Sequence, residues 1–313
     1  METCPSKGGW IVTAPVALFV YNRPGHTRQT VEALLANALA NETPLHVFSD
    51  AAKNESASLA VAEVRSYIRC IAGFKSVTII ERETNFGLAR SIIDGVTRLC
   101  QEYGRVIVVE DDLITSPNFF AYMNDALTRY EHEDRVMQVA GYMFPINLEL
   151  EEDALFLPFT SSWGWATWER AWRFFDATGA GYQRLMEDQS LRRRFDLNGK
   201  YGYFRMLESQ LRGETDSWAI RWYLSVFLMN GLTLYPKKTL VGNVGFDGSG
   251  VNCVASSIEG GTIERHFRVS TMPKLMSVSD RYEVILQRFP KPKLNIKTMS
   301  NKVRHLFKSI GCG

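Results

Sequence analysis

From residue 14 to residue 141 short apolar runs alternate with helical stretches of roughly a dozen residues, and this alternation constrains the fold most. APVALFVY (14–21), LHVFSD (45–50), SVTIIE (76–81), RVIVVE (105–110) and RVMQVAG (135–141) read as strands. Between them Thr27–Ala40, Ser56–Ile71 and Leu88–Tyr103 read as helices. Ser116-Pro117 supplies an N-cap and a first-turn proline for a further helix through Tyr130. Apolar strands joined by helices of this length predict an α/β fold with a mostly parallel sheet flanked by helices.

The second half changes character. SSWGWATWERAW (161–172) and DSWAIRW (216–222) hold every tryptophan but Trp10. Trp165, Trp168 and Trp172 recur at the spacing by which a helix buries one face, and core packing is expected for Trp168 and Trp172. Trp163 and Trp165 flank Gly164 ahead of that helix, where one of them can stack on a sugar ring. Tyr182–Arg212 reads as an arginine-rich helical stretch. LTLYP (232–236) is a short strand, and VGNVGFDGSGVNC (241–253) a glycine-rich loop. From Leu286 onward there are seven Lys or Arg and no acid. Met299, Val303, Leu306, Phe307 and Ile310 share one helical face there, a basic amphipathic tail suited to peripheral contact with an anionic inner membrane. The expected organisation is a first half at 12–150, a second half at 151–285 and the tail at 286–313.

Lys plus Arg number 36 against 34 Asp plus Glu, a near balance that argues against a nucleic-acid partner. The five cysteines form no C-x-x-C pair and read as reduced thiols of a cytoplasmic protein. The sequence contains no apolar run long enough to span a bilayer, and its start does not read as a secretion signal.

In open α/β sheets ligands bind beyond the carboxyl ends of the strands. Asn22-Arg23, Asp50, Asn85-Phe86-Gly87 and Glu110-Asp111-Asp112 all fall at such positions. Carboxylates about 4 Å apart repel by roughly 1 kcal/mol in water and more in a drier site, so three in succession need an offsetting charge. A hard divalent cation sharing its coordination with phosphate oxygens would provide it, and Arg23 would add a second positive charge. Asp50 is placed to accept hydrogen bonds from a base or ribose. The competing reading is that the three acids cap the next helix.

VVEDDLITSPNFFAYM resembles the acidic motif and following helix of the N-acetylglucosaminyltransferase I family, whose members are inverting, Mn2+-dependent glycosyltransferases of the GT-A (Rossmann-like) fold that use UDP-GlcNAc. FVYNRPGHTRQTVEALL, VFSD, SSWGWATWERAW, ETDSWAIRW and LVGNVGFDGSGVNC resemble further family segments in the same order, so the resemblance spans Ala14 to Cys253. It implies Asp112 as ligand of Mn2+ (or Mg2+), with Glu110 and Asp111 at the ribose and nucleotide. Arg23, Asp50 and Asn85 would lie on the nucleotide side, and Gly245 and Asp247 in the loop over the donor. Asp216 is the implied base, with Glu214 close enough to compete. The chain departs from the eukaryotic members in lacking a membrane anchor and luminal cysteines, and its loop carries Asp247 where the family tends to be basic. A bacterial relative acting in surface polysaccharide synthesis is therefore expected, taking a UDP-sugar (GlcNAc as the best match) to a glycan or lipid-linked acceptor. The alternatives are a sugar-phosphate nucleotidylyltransferase, which would need a glycine-rich basic loop after the first strand, and a non-catalytic glycan-binding protein.

Overall fold

The computed structural model describes residues 13–247 and 263–287. The expected tail and residues 248–253 of the glycine-rich loop lie outside the described residues.

The first half follows the alternation closely. β1 (Val16–Val20), α1 (Pro24–Leu35), β2 (Pro44–Ser49), α2 (Glu55–Ile68), β3 (Ser76–Glu81), α3 (Leu88–Tyr103) and β4 (Arg105–Glu110) succeed one another as three right-through β/α repeats. A short β5 (Leu113–Thr115) then precedes α4 (Phe119–Arg129) and β6 (Val136–Ala140). The chain continues through β7 (Ala154–Leu157), β8 (Trp165–Trp168), α5 (Glu169–Trp172), α6 (Tyr182–Glu187), α7 (Gln189–Phe195) and α8 (Tyr203–Leu211). It ends with α9 (Trp218–Leu228), β9 (Leu232–Pro236), β10 (Val241–Asn243) and α10 (Tyr282–Leu286).

Eight strands form one sheet in the order β3-β2-β1-β4-β8-β6-β9-β7, and β10 pairs with β5 in a separate ribbon. β3, β2, β1 and β4 are parallel neighbours, and β6 runs parallel to β9. β8 is antiparallel to both β4 and β6, and β7 is antiparallel to β9. The sheet is thus mostly parallel, and it joins both halves of the chain because β8 is inserted between β4 and β6.

Side-chain alternation along the strands divides the core. Leu18, Ile107 and Val109 pack with α1, α2 and α4 on one face, while Phe19, Val106 and Val108 pack with α3, α5 and α9 on the other. A third cluster joins α6, α7, α8, α9 and α10 to β7.

Three local expectations are corrected. Trp165–Trp168 is a strand and not the first turn of a helix. The reason is pairing: Arg105 faces Trp168 and Val108 faces Trp165, so the tryptophans alternate between two faces of the sheet. Trp168 and Trp172 are buried as expected. The 182–212 stretch is three short helices, interrupted where Asp188 caps α7 through the N–H groups of Ser190 and Leu191. α4 begins at Phe119, after Asn118, and β5 occupies the residues between the acids and that helix.

Candidate active site

The three acids close β4 and form the turn into β5. None of them caps α4: Asn118 stands at its N-cap position, without a side-chain cap, and the Ser116 hydroxyl accepts from the Asn118 N–H at 3.3 Å. The helix-capping reading of the triplet therefore does not hold.

Arg23, which follows β1, crosses to this turn because β1 and β4 are parallel neighbours, with Phe19 opposite Glu110. Its Nη2 donates to Oδ1 of Asp111 and, at 3.0 Å, to Oδ2 of Asp112. Thr30 of α1 adds a buried hydroxyl bond to the Asp111 carbonyl at 2.9 Å. Both aspartates are buried. Burial pushes the Glu110 carboxyl up to about 8, helped by Asp112 and Asp111 and opposed by Arg23. Burial also raises Asp111, against the pull of Arg23. Burial works to lower the Arg23 guanidinium, but the fields of Asp111 and Asp112 win and hold it above its usual value. One guanidinium thus faces three carboxylates in a dry turn.

The segment after β10 closes against the same turn. The Val244 N–H donates to the Asp112 carbonyl at 2.9 Å, and the Gly245 N–H donates to Oδ1 of Asn243 at 2.7 Å. A Cβ on residue 245 would stand 2.3 Å from Oδ2 of Asp112 and 3.1 Å from Nη1 of Arg23. A side chain there would force Asp112 or the loop to shift. Asp247 reaches the other way, with Oδ2 3.2 Å from Nε2 of His26 at the start of α1.

Asp50 is buried at the end of β2, and its oxygens are occupied. Oδ1 accepts from the N–H groups of Ala51 (2.9 Å) and Phe86 (2.8 Å), and Oδ2 from Gly87 N–H (2.9 Å) and Asn85 Nδ2 (3.0 Å). Asn85 also donates to the Ala51 carbonyl at 2.7 Å. Asp50 and Asn85 therefore fix the turn that launches α3, and a nucleotide would have to displace one of these donors to bond Asp50.

Asp216 and Glu214 lie in the connection from α8 to α9. Among the described residues no hydrogen bond or ion pair joins either to the acidic turn. Asp216 is 64% exposed at its side chain and pairs with Nη2 of buried Arg221 at 3.1 Å. Glu214 is held by Arg212 (2.7 and 3.1 Å) and the Ser209 hydroxyl (2.8 Å), which draw its carboxyl down to about 2. Trp218, two residues beyond Asp216, stacks on Trp165 with ring centroids 5.1 Å apart. Trp165 pairs with Val108 of β4. The start of α9 thus packs on the sheet near the carboxyl end of β4, on the face that Val108 shares.

Trp165 is fully buried between Trp172, Trp218 and Trp222, which removes it as a sugar platform. Trp163 stays half-buried, edge-on to Tyr142 at 4.5 Å and Phe246 at 5.5 Å. Sequence reasoning missed His26, Thr30, Asn243, Tyr142 and Phe246, because each acquires its place only through the crossing of distant segments.

A divalent cation is compatible with this donor set. Among the described residues no group of three or more His, Cys, Asp or Glu is arranged to hold a metal ion. A hard cation at the turn would draw only part of its coordination from the chain, through Asp112, and the remainder from phosphate and water oxygens. The surplus of buried carboxylates over arginine fits such an ion.

Residues 3–144 match the GNT-I family. No curated protein matches the chain in sequence. Among solved structures, GalNAc-T7 with UDP, GalNAc and Mn2+ is 12% identical, with a TM-score of 0.47, over 74% of this chain and 44% of that one. Residues 1–349 of TarS from S. aureus are 13% identical at 0.40, over 73% and 59%. A mannosyltransferase from Pyrobaculum calidifontis, in complex with GDP-Man and Mn2+, is 12% identical at 0.33, over 42% and 36%. The chain spans less than two thirds of the length of each of these structures. Residues 3–144 thus resemble the GNT-I family, and they include β1–β4 of the mostly parallel sheet together with the acidic turn.

Proposed function

We propose that the protein is a metal-dependent, inverting glycosyltransferase that moves a sugar from a UDP-sugar to a hydroxyl of a glycan or lipid-linked acceptor. The observation that carries this reading is the closure of Arg23 and Gly245 on the Asp111-Asp112 turn; Arg23 and the two aspartates lie within the family match, and Gly245 lies in the loop after β10.

In this reading Asp112 holds the cation, and Arg23, already fixed on the two aspartates, lies beside the diphosphate. When bound, the cation supplies positive charge against the departing diphosphate. Glu110 and Asp111 take the ribose and nucleotide side, and Gly245 lets the loop backbone come close to the phosphates. Asp216 accepts the proton of the acceptor hydroxyl. Its exposure and single arginine partner leave it better suited than Glu214, which is tied down by Arg212 and Ser209. With one base and no carboxylate nominated as a covalent nucleophile, a single displacement inverts the anomeric centre. GlcNAc as the donor sugar follows from the family resemblance, surface polysaccharide as the product from the departures from it, and a cytoplasmic setting from the cysteine pattern; among the described residues no helix is long and apolar enough to cross a membrane.

A thermal-shift panel of nucleotide sugars with and without Mn2+ tests the reading, because a ligand bound only to the folded state raises the melting temperature by mass action. A shift for one UDP-sugar that requires the metal supports it. Uniform silence across the panel overturns it.

A further inference from the structure

We propose that Tyr142, Trp163 and Phe246 form an aromatic wall that seats a pyranose ring beside the acidic turn. Tyr142 and Phe246 act there as positioning residues. The inference rests on the glycosyltransferase reading and extends it to the surface that selects the sugar.

Two glycines create the wall. The Gly141 N–H donates to the Gly164 carbonyl at 2.6 Å, and the Leu240 N–H donates to the Gly141 carbonyl at 2.9 Å. A Cβ at 141 would meet Phe119 and Val241 at 2.7 Å and the Gly164 carbonyl at 2.8 Å. Gly164 has φ near +58°, a left-handed conformation that favours glycine over residues with a Cβ. Without side chains at these two positions, the end of β6, the entry to β8 and β10 meet closely. Tyr142 and Trp163 are the next residues out, and Phe246 directly follows the glycine that touches Asp112.

The rings meet at interplanar angles of 67° for Tyr142–Trp163 and 63° for Trp163–Phe246, and all three stay half-buried. The core tryptophans behave otherwise: Trp165 and Trp218 stack at 18° and are closed to solvent. Tyr142 is also edge-on to Phe144 at 5.5 Å, yet each of the three rings keeps part of its surface accessible, and Phe246 lies next to the glycine on Asp112. A pyranose ring presents C–H groups on its faces and hydroxyls at its rim. It therefore fits aromatic faces bordered by polar groups, and a half-buried tyrosine supplies an apolar body with a polar tip. The ring could belong to the transferred sugar or to the acceptor, and the test separates the two.

UDP, UDP-glucose, UDP-galactose and UDP-GlcNAc are titrated calorimetrically, with Mn2+, into the wild-type chain and into Tyr142→Ala, Tyr142→Phe and Phe246→Ala. Methyl glycosides of the same sugars are titrated with and without Mn2+ and UDP. The account expects UDP affinity to stay within about twofold in every variant. Tyr142→Ala and Phe246→Ala should lose at least fivefold in the preference of a UDP-sugar over UDP if the ring is the donor's. They should lose as much in glycoside binding if it is the acceptor's. Tyr142→Phe, which keeps the ring, should retain most of either. Melting temperatures confirm folding, and Phe246→Ala, at the edge of the described loop, serves if Tyr142→Ala is unstable. Unchanged sugar preference and unchanged glycoside binding in both alanine variants would overturn the wall, as would a wild-type chain that binds no sugar in either form. Loss of glycoside binding in the variants of a chain that never binds UDP would leave the wall standing and remove the transferase reading.

Discussion

Gly245 lies directly on Asp112, with its missing Cβ position 2.3 Å from Oδ2. Asp112 cannot simply retreat, because Arg23 holds the same oxygen at 3.0 Å. Gly245→Ala must therefore shift the loop or break the pair. Forced overpacking costs about 1–3 kcal/mol. If that strain falls on the bound state, UDP–Mn2+ affinity should drop roughly five- to hundredfold, read by calorimetry. Unchanged affinity would mean that the loop backbone does not approach the nucleotide.

Asp50 accepts four hydrogen bonds at the launch of α3. Asp50→Ala leaves those donors without their acceptor, at about 1–3 kcal/mol for each donor that stays buried. Chemical denaturation should show a loss of several kcal/mol, with Asp50→Asn falling between. A variant of undiminished stability that binds nucleotide weakly would instead favour the reading of Asp50 as a base or ribose contact.

Asp216→Asn should keep donor affinity and lose about 100-fold or more in transfer, the usual scale for removing a general base. Glu214→Gln should stay within a few-fold of wild type on both measures. The opposite pattern in initial rates would move the base to Glu214.

Trp165 serves the core in this structure, so Trp165→Ala should destabilise the fold by about 3–5 kcal/mol. Its sugar preference should match wild type once folded protein is compared. A selective loss of sugar preference with little loss of stability would return Trp165 to the site.

Much of the first half was legible because each strand is a short, mostly apolar run and each helix has its own period; α3 spans Leu88–Tyr103 as the pattern predicts. The end of α1 at Leu35 and the three helices within 182–212 were not, since their breaks come from local turns with weak sequence signals. The tryptophan spacing misled for a physical reason. Positions 165, 168 and 172 satisfy a helical period, yet pairing with β4 and β6 converts the first four residues into a strand. The acidic triplet and Arg23 could be read from their places at strand ends, because parallel pairing carries those ends to one edge. Asn243, Tyr142 and Phe246 could not, because β5–β10 pairing and the Gly141–Gly164 contact join segments far apart in the chain.

The most direct measurement is titration of UDP into the wild-type chain and Asp112→Ala, each with Mn2+ and with a chelator. Saturable binding that requires both the metal and Asp112 is the predicted result. UDP binding that is indifferent to the metal and to residue 112, or absent altogether, would contradict the account.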